Sequence, residues 1–244
     1  MSKIEKYQIA IRNQKDIREY LLENSNLPGP RGNLELAHAA AMELPSRLLI
    51  ELADITAEEA PVNTAVEFLS FCGVLGQGRL FIEGDPQSSE RIIHAASDVR
   101  WRTREAAAMA LQFIGRQDIQ TMISLLPRLA NGNMLEKRCA VAGICEPILL
   151  NTPEISRFAL DMLDQITYFF AEVENRKDEN FTVLKKGLSY GWSVAVSSDP
   201  IYGKPLMEKW LVSKDKDVRR VMQENLKKNR LIRIEKEWVE HWKE

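Results

Sequence analysis

Apolar and polar positions follow a helical period along most of the chain, and one design returns several times. Residues 98–115, DVRWRTREAAAMALQFIG, place a basic residue at a helix start and follow it with largely apolar turns. LEKRCAVAGIC from Leu135 and DKDVRRVMQENLKK from Asp215 repeat the design. Setting Arg104, Arg138 and Arg219 equivalent aligns the three segments without gaps. A fourth, FTVLKKGLSYGWSVAV, fits between them with Lys185 in the same place, giving steps of 34, 47 and 34 residues. Steps of roughly 33 to 47 residues are those of helical solenoid repeats. No long segment alternates Val, Ile and Thr with period two, so no sheet is expected.

Taken in order, residues 3–24 read as one amphipathic helix with Ile4, Ile11, Leu21 and Leu22 turned inward. NSNLPGPRG, residues 24–32, ends it with two prolines and two glycines. Asn33 is placed to cap LELAHAAAMEL, and SRLLIELAD follows as a short helix. After Pro61 an apolar helix is expected to run as far as the glycines of GVLGQG, Gly73 to Gly78. A helix over 86–97 then precedes antiparallel pairs: 101–115 with 117–130, 134–150 with 154–173, 179–197 with 202–212, and lastly 217–229. RLIRIEKEWVEHWKE reads as one capping helix with Trp238 and Trp242 on one face, a dimer contact being the alternative. The expected architecture is all-α, a right-handed α-solenoid of HEAT-like antiparallel helix pairs. It is expected as a single domain over 1–244, with N-terminal helices in 1–78, repeats in 86–229 and the cap in 230–244.

Composition narrows the function classes. A net charge of -2 gives no whole-molecule case for nucleic acid, so any such case rests on local charge. Residues 212–236 supply one, with nine Lys or Arg against four Asp or Glu. Cys72, Cys139 and Cys145 are odd in number and lack CxxC spacing, which excludes a disulfide framework and a zinc ribbon. Their apolar neighbours suit buried thiols. The N-terminus has no continuous apolar core of a signal peptide, and no stretch of about 18 uninterrupted apolar residues occurs. A cytoplasmic protein without membrane contact is expected. His38, His94 and His241 are isolated, so no metal or other cofactor is expected. GVLGQG lacks GxGxxG spacing. LPGPRGN puts Arg31 near a helix start, where an anion could bind, although the segment reads first as a connector.

DVRWRTREAAAMAL resembles the second helix of a HEAT repeat, with Asp before the helix and Arg in its first turn. Over residues 90–230 the chain also resembles, by spacing rather than identity, the HEAT-like DNA alkylation repair family, glycosylases that remove alkylated bases. In that family a Trp and an Asp four apart on one helix, an Arg on the next repeat and a Trp two repeats on line a cleft. Here Trp101 and Glu105 stand four apart, Arg138 opens the next equivalent helix, and Trp192 follows. Glu105 departs from the family's Asp and carries its carboxylate one methylene further out.

Each candidate has two readings. By resemblance, Trp101 and Glu105 are the catalytic pair; otherwise Trp101 packs in an inter-helix turn. Projection at 100° per residue puts Trp101, Glu105, Ala108 and Gln112 opposite the core stripe of Ala107, Ala110, Leu111 and Ile114. Trp192 lines the cleft by resemblance, but Phe181, Leu184, Leu188, Trp192 and Ala195 form a core stripe. Arg104, Arg138, Lys185 and Arg219 would form a row along stacked repeats that contacts phosphates, or would bond acids and carbonyls of adjacent repeats. Two functions follow: a protein binding duplex DNA, related to the alkylation-repair glycosylases, with or without catalysis; or a scaffold binding a protein partner on its concave face.

Overall fold

The computed structural model describes residues 1–243, and among these there is no strand. The chain forms two compact units, 1–122 and 123 onward. The first contains α1 (Lys3–Arg12), α2 (Ile17–Glu23), α3 (Leu34–Glu43), α4 (Ser46–Ala53), α5 (Ala65–Ile82), α6 (Gln87–Ala96) and α7 (Trp101–Gln117). In it α1, α3, α5 and α7 are successive neighbours in one row, while α2, α4 and α6 pack against α5 from a second layer. This is the stacking of helix pairs expected for an α-solenoid.

Local chemistry sets the boundaries. Ser2 and Glu5 form a reciprocal capping box at α1. The helix expected over 3–24 is instead two. The run NQKD, residues 13–16, has no apolar residue to bury, and Asp16 accepts the Glu19 N–H at 2.9 Å to start α2 afresh. Asn33 caps α3 as expected, accepting the Leu36 N–H at 3.1 Å.

The glycines of GVLGQG lie inside α5 and do not end it. A neighbouring backbone comes too close for a side chain at Gly73 and Gly78, and the Leu49 side chain does so at Gly76. A Cβ on Gly73 would stand 2.2 Å from the backbone nitrogen of Ala53, and one on Gly78 would stand 2.6 Å from the carbonyl oxygen of Ala110. Helix α5 is thus gripped by α4 on one side and α7 on the other. Its length and apolarity match a membrane span, but it is the buried core helix of this unit. Three fully buried polar residues interrupt its surface, Glu67, Ser70 and Gln77; Gln77 donates to the Gly73 carbonyl at 3.0 Å and accepts from Ser88 Oγ at 3.0 Å.

After α8 (Ile119–Asn131), which spans the division, the second unit holds α9 (Met134–Ile144), α10 (Pro153–Glu172), α11 (Glu179–Ser198) and α12 (Pro200–Leu211). It closes with α13 (Lys216–Leu226), α14 (Asn229–Ile234) and α15 (Lys236–Trp242). Here α9, α11 and α13 form the row, with α10 and α12 against α11. Helix α9 stops at Ile144 rather than 150 because Pro147 cannot continue it. The expected capping helix breaks at Glu235 into α14 and α15; Glu235 accepts from Lys204 Nζ at 2.8 Å. Its last residue, Glu244, lies outside the described residues. Asn225 of α13 is fully buried and clamps α11: it accepts the Ser193 N–H at 2.8 Å and donates to the Leu188 carbonyl at 2.9 Å. Cys72, Cys139 and Cys145 are buried free thiols, and burial pushes Cys145 up to about 12.

Two substitutions test this packing. In an exposed helix Gly→Ala stabilises by up to about 1 kcal/mol. Gly73→Ala is expected to do the reverse, lowering unfolding free energy by about 1–3 kcal/mol through overpacking against Ala53. Asn225→Ala, which removes the clamp, is expected to cost about 2 kcal/mol. Urea denaturation measures both.

Candidate functional site

Of the four aligned basic positions, Arg104 and Arg219 share one structural bond, and Arg138 and Lys185 do not. In the first unit Arg104 Nη1 donates to the carbonyls of Asp98 at 2.6 Å and Val99 at 3.0 Å. In the second, Arg219 Nη1 donates to the Ser213 carbonyl at 2.6 Å. In both, a first-turn Arg reaches back six residues and staples the connector that leads into its helix. In α9 the staple sits one residue earlier than the alignment placed it. Lys137, 5% exposed, donates its Nζ to the Gly132 carbonyl and lies 4.2 Å from the Phe169 ring centre. Burial lowers the Lys137 pKa. Arg138 is half-buried against α11, where a Cβ on Gly187 would come within 3.2 Å of its Cγ. Lys185 pairs with Asp217 of α13, which Arg176 also approaches at 3.8 Å.

Trp192 is not a cleft residue. It is fully buried, and its indole N–H donates to Thr167 Oγ1 at 3.0 Å. The core stripe of α11 decides its position, so the nucleotide-contacting role drawn from resemblance is withdrawn.

Trp101 and Glu105 do come together. Helix α7 begins at Trp101, and both side chains line a cavity of about 210 Å³ in the first unit. Trp101 is 47% exposed and Glu105 half-buried, whereas Ala108 on the same side of α7 is buried. The other walls are Leu27, Phe68 and Phe71, with Arg31 and Gly32 from the loop before α3, Leu34 at the start of α3, and Arg102. The Arg102 guanidinium lies 4.4 Å from the Trp101 ring centre. It also bonds Glu67 at 3.0 Å and the Gly29 carbonyl at 2.7 Å, tying the loop to α5 and α7. The sequence reading missed Arg102. The signal was Glu67, a single acid in the apolar run of α5, which required a buried partner.

The second unit carries a larger groove, about 580 Å³, between α11 and α13. Arg176, Lys185, Lys186, Arg220 and Lys228 line it against two acids, Asp217 and Glu224. Glu224 is held below the usual carboxylate range by its hydrogen bond from Lys227, with smaller effects from Lys228 and Arg220. Lys186 and Arg220 are exposed, and among the described residues no hydrogen bond or ion pair engages their side chains or that of Lys228. The sequence reading passed over Lys186 and Arg220, each the second member of a basic pair. In Lys185–Lys186 and Arg219–Arg220 the first residue bonds within the protein and the second stays in solvent.

No protein-family model matches the chain, and no curated protein matches it. Among solved structures, an engineered protein shows a TM-score of 0.38 at 15% identity, over 100% of this chain and 98% of that one. A designed armadillo repeat protein shows a TM-score of 0.37 at 15% identity, over 91% and 96%. Likeness at this level assigns no family and no ligand; the all-α, stacked-pair class rests on the helices themselves. Nothing in these comparisons supports the alkylation-repair relation.

The staples have a measurable consequence. Arg219→Ala removes a charge-assisted hydrogen bond from a half-buried side chain and is expected to cost about 1 kcal/mol of unfolding free energy. Arg220→Ala, one residue on and in solvent, is expected to change stability by less than about 0.5 kcal/mol. Thermal or urea unfolding of the two variants separates a staple from a surface charge.

Proposed function

We propose that the chain is a helical-repeat scaffold without catalysis of its own, and that the groove between α11 and α13 holds the phosphate backbone of duplex DNA. The observation that carries this reading is the set of three cations, Lys186, Arg220 and Lys228, around one groove with no hydrogen-bond or ion-pair partner among the described residues. Glu224 opposes Arg220 and Lys228 in part, but basic side chains not tied up in a bond or ion pair are the ones that displace counterions from phosphates. Lys185 keeps a place in the groove, but its charge is already opposed by Asp217. Arg104 and Arg219 drop out of the contact set, because bonds to connector carbonyls hold their guanidinium groups.

The glycosylase reading has one favourable observation, the shared cavity of Trp101 and Glu105. Arg31 lines the same cavity, as does Arg102, whose charge is opposed by Glu67. Catalysis of base release requires stabilising a cationic sugar, and neighbouring positive charge opposes that. The expected outcome is no release of alkylated purine from methylated DNA in an assay where a known glycosylase succeeds.

Fluorescence anisotropy with a labelled duplex, over roughly 50 to 200 mM salt, tests the binding proposal. The wild type is expected to bind with a steep salt dependence, independent of sequence. Arg220→Ala and Lys186→Ala are each expected to weaken binding and lower the log–log salt slope by about one. Arg219→Ala should leave that slope in place. Absence of binding at low salt, or a slope indifferent to both variants, would leave a protein partner as the scaffold's ligand.

A further inference from the structure

We infer that the cavity of the first unit is a ligand site for a small apolar monoanion, one carboxylate on a body the size of an aromatic ring or branched alkyl group. This is independent of the DNA reading, which concerns the other unit. The volume, about 210 Å³, sets the size. A cavity of about 150 Å³ lined by apolar side chains holds benzene, so this one holds a single ring with a small polar group attached. Phe68, Phe71 and Trp101 supply flat apolar walls, with Phe68 and Phe71 parallel to within 4°.

Three features point to a negative charge on that body. Arg102 is 5% exposed, lines the cavity, and has a buried Nε with no hydrogen-bond partner. A buried N–H of a charged group without a partner is costly, and a ligand oxygen would satisfy it. Arg31, on the loop wall, is exposed, and its side chain has neither ion pair nor hydrogen bond among the described residues. Helix α3, ten residues long, starts at the cavity with Gly32 and Leu34 in the wall. Asn33 takes the Leu36 N–H, while the N–H groups of Leu34 and Glu35 lie outside the helix's own ladder. Such an end favours an anion. Glu105 limits the charge: one carboxylate in the wall repels a phosphate dianion more than a monoanion.

The same chemistry is offered by a free organic acid and by the last residue of a peptide with an apolar side chain, so the experiment has two arms. Isothermal titration calorimetry of the full chain compares phenylacetate with phenylacetamide. It then compares a tetrapeptide ending in Phe with its C-terminal amide. In at least one arm the acid is expected to bind at least tenfold more tightly than its neutral isostere, and the tighter arm identifies the source. Arg31→Gln, a change on an exposed loop, is expected to remove the acid preference while circular dichroism stays unchanged. Glu105→Gln is expected to strengthen acid binding severalfold. Equal binding of acid and amide in both arms, or no binding of either acid at millimolar concentration, would overturn the inference. Because the groove between α11 and α13 is untouched by these variants, DNA binding serves as the internal control.

Discussion

The first unit depends on one buried ion pair. Glu67 has no exposed surface and sits in the most apolar helix of the chain; Arg102 reaches it from α7 at 3.0 Å. Desolvating two charges costs several kcal/mol per ion, and a pair of this kind persists only where further hydrogen bonds complete it. Here they do so at all but two atoms, since Glu67 Oε1 and Arg102 Nε are buried without a hydrogen-bond partner. Glu67 also accepts the Asn63 N–H at 2.7 Å, Arg102 donates to the Gly29 carbonyl and to Asn63 Oδ1, and Asn63 Oδ1 accepts the Gly29 N–H at 3.0 Å. The loop before α3, the turn before α5 and the start of α7 are joined through these two side chains. The cavity walls follow from that join, since Trp101, Arg102, Arg31 and Gly32 are placed by the segments it connects.

The second unit solves the same problem with a neutral group. Asn225 bridges a carbonyl and an N–H of α11 and also donates to the Val221 carbonyl of its own helix at 2.8 Å. An amide has both donors and an acceptor, so it satisfies a buried helix surface without desolvating a charge. Close approach of helices is the common result, reached by glycine in α5 and by an inserted amide between α13 and α11.

The basic residues divide by what lies within reach. A first-turn Arg or Lys stands over the connector that feeds its helix, where the chain's own carbonyls lack partners. Arg104, Lys137 and Arg219 bond there. Arg220, one position after Arg219, is exposed, as is Lys186, one position after Lys185, which is held by Asp217. That division separates residues that hold the repeat together from those available to a ligand.

Helical class, the stacking of pairs and most helix limits after residue 86 were legible from the sequence, because apolar spacing and proline or capping residues act locally. The equivalence of Arg104 and Arg219 was legible too, as was the core placement of Trp192 from its stripe on α11. The breaks at Asn13–Asp16 and Glu235 were not: a four-residue polar run is as compatible with the exposed turn of one helix as with a break until Asp16 is seen to cap α2, and Glu235 meets Lys204 only in the folded chain. Gly73–Gly78 misled because glycine marks both a helix end and a close helix approach, and the choice depends on what packs alongside. The sites were least legible. Whether a cation is bound internally or left for a ligand depends on carbonyls and carboxylates brought near by folding: Asp217 reaches Lys185 across 32 positions, and Glu67 meets Arg102 across 35. Local periodicity therefore determined the helices, and only tertiary packing decided which charges remained open.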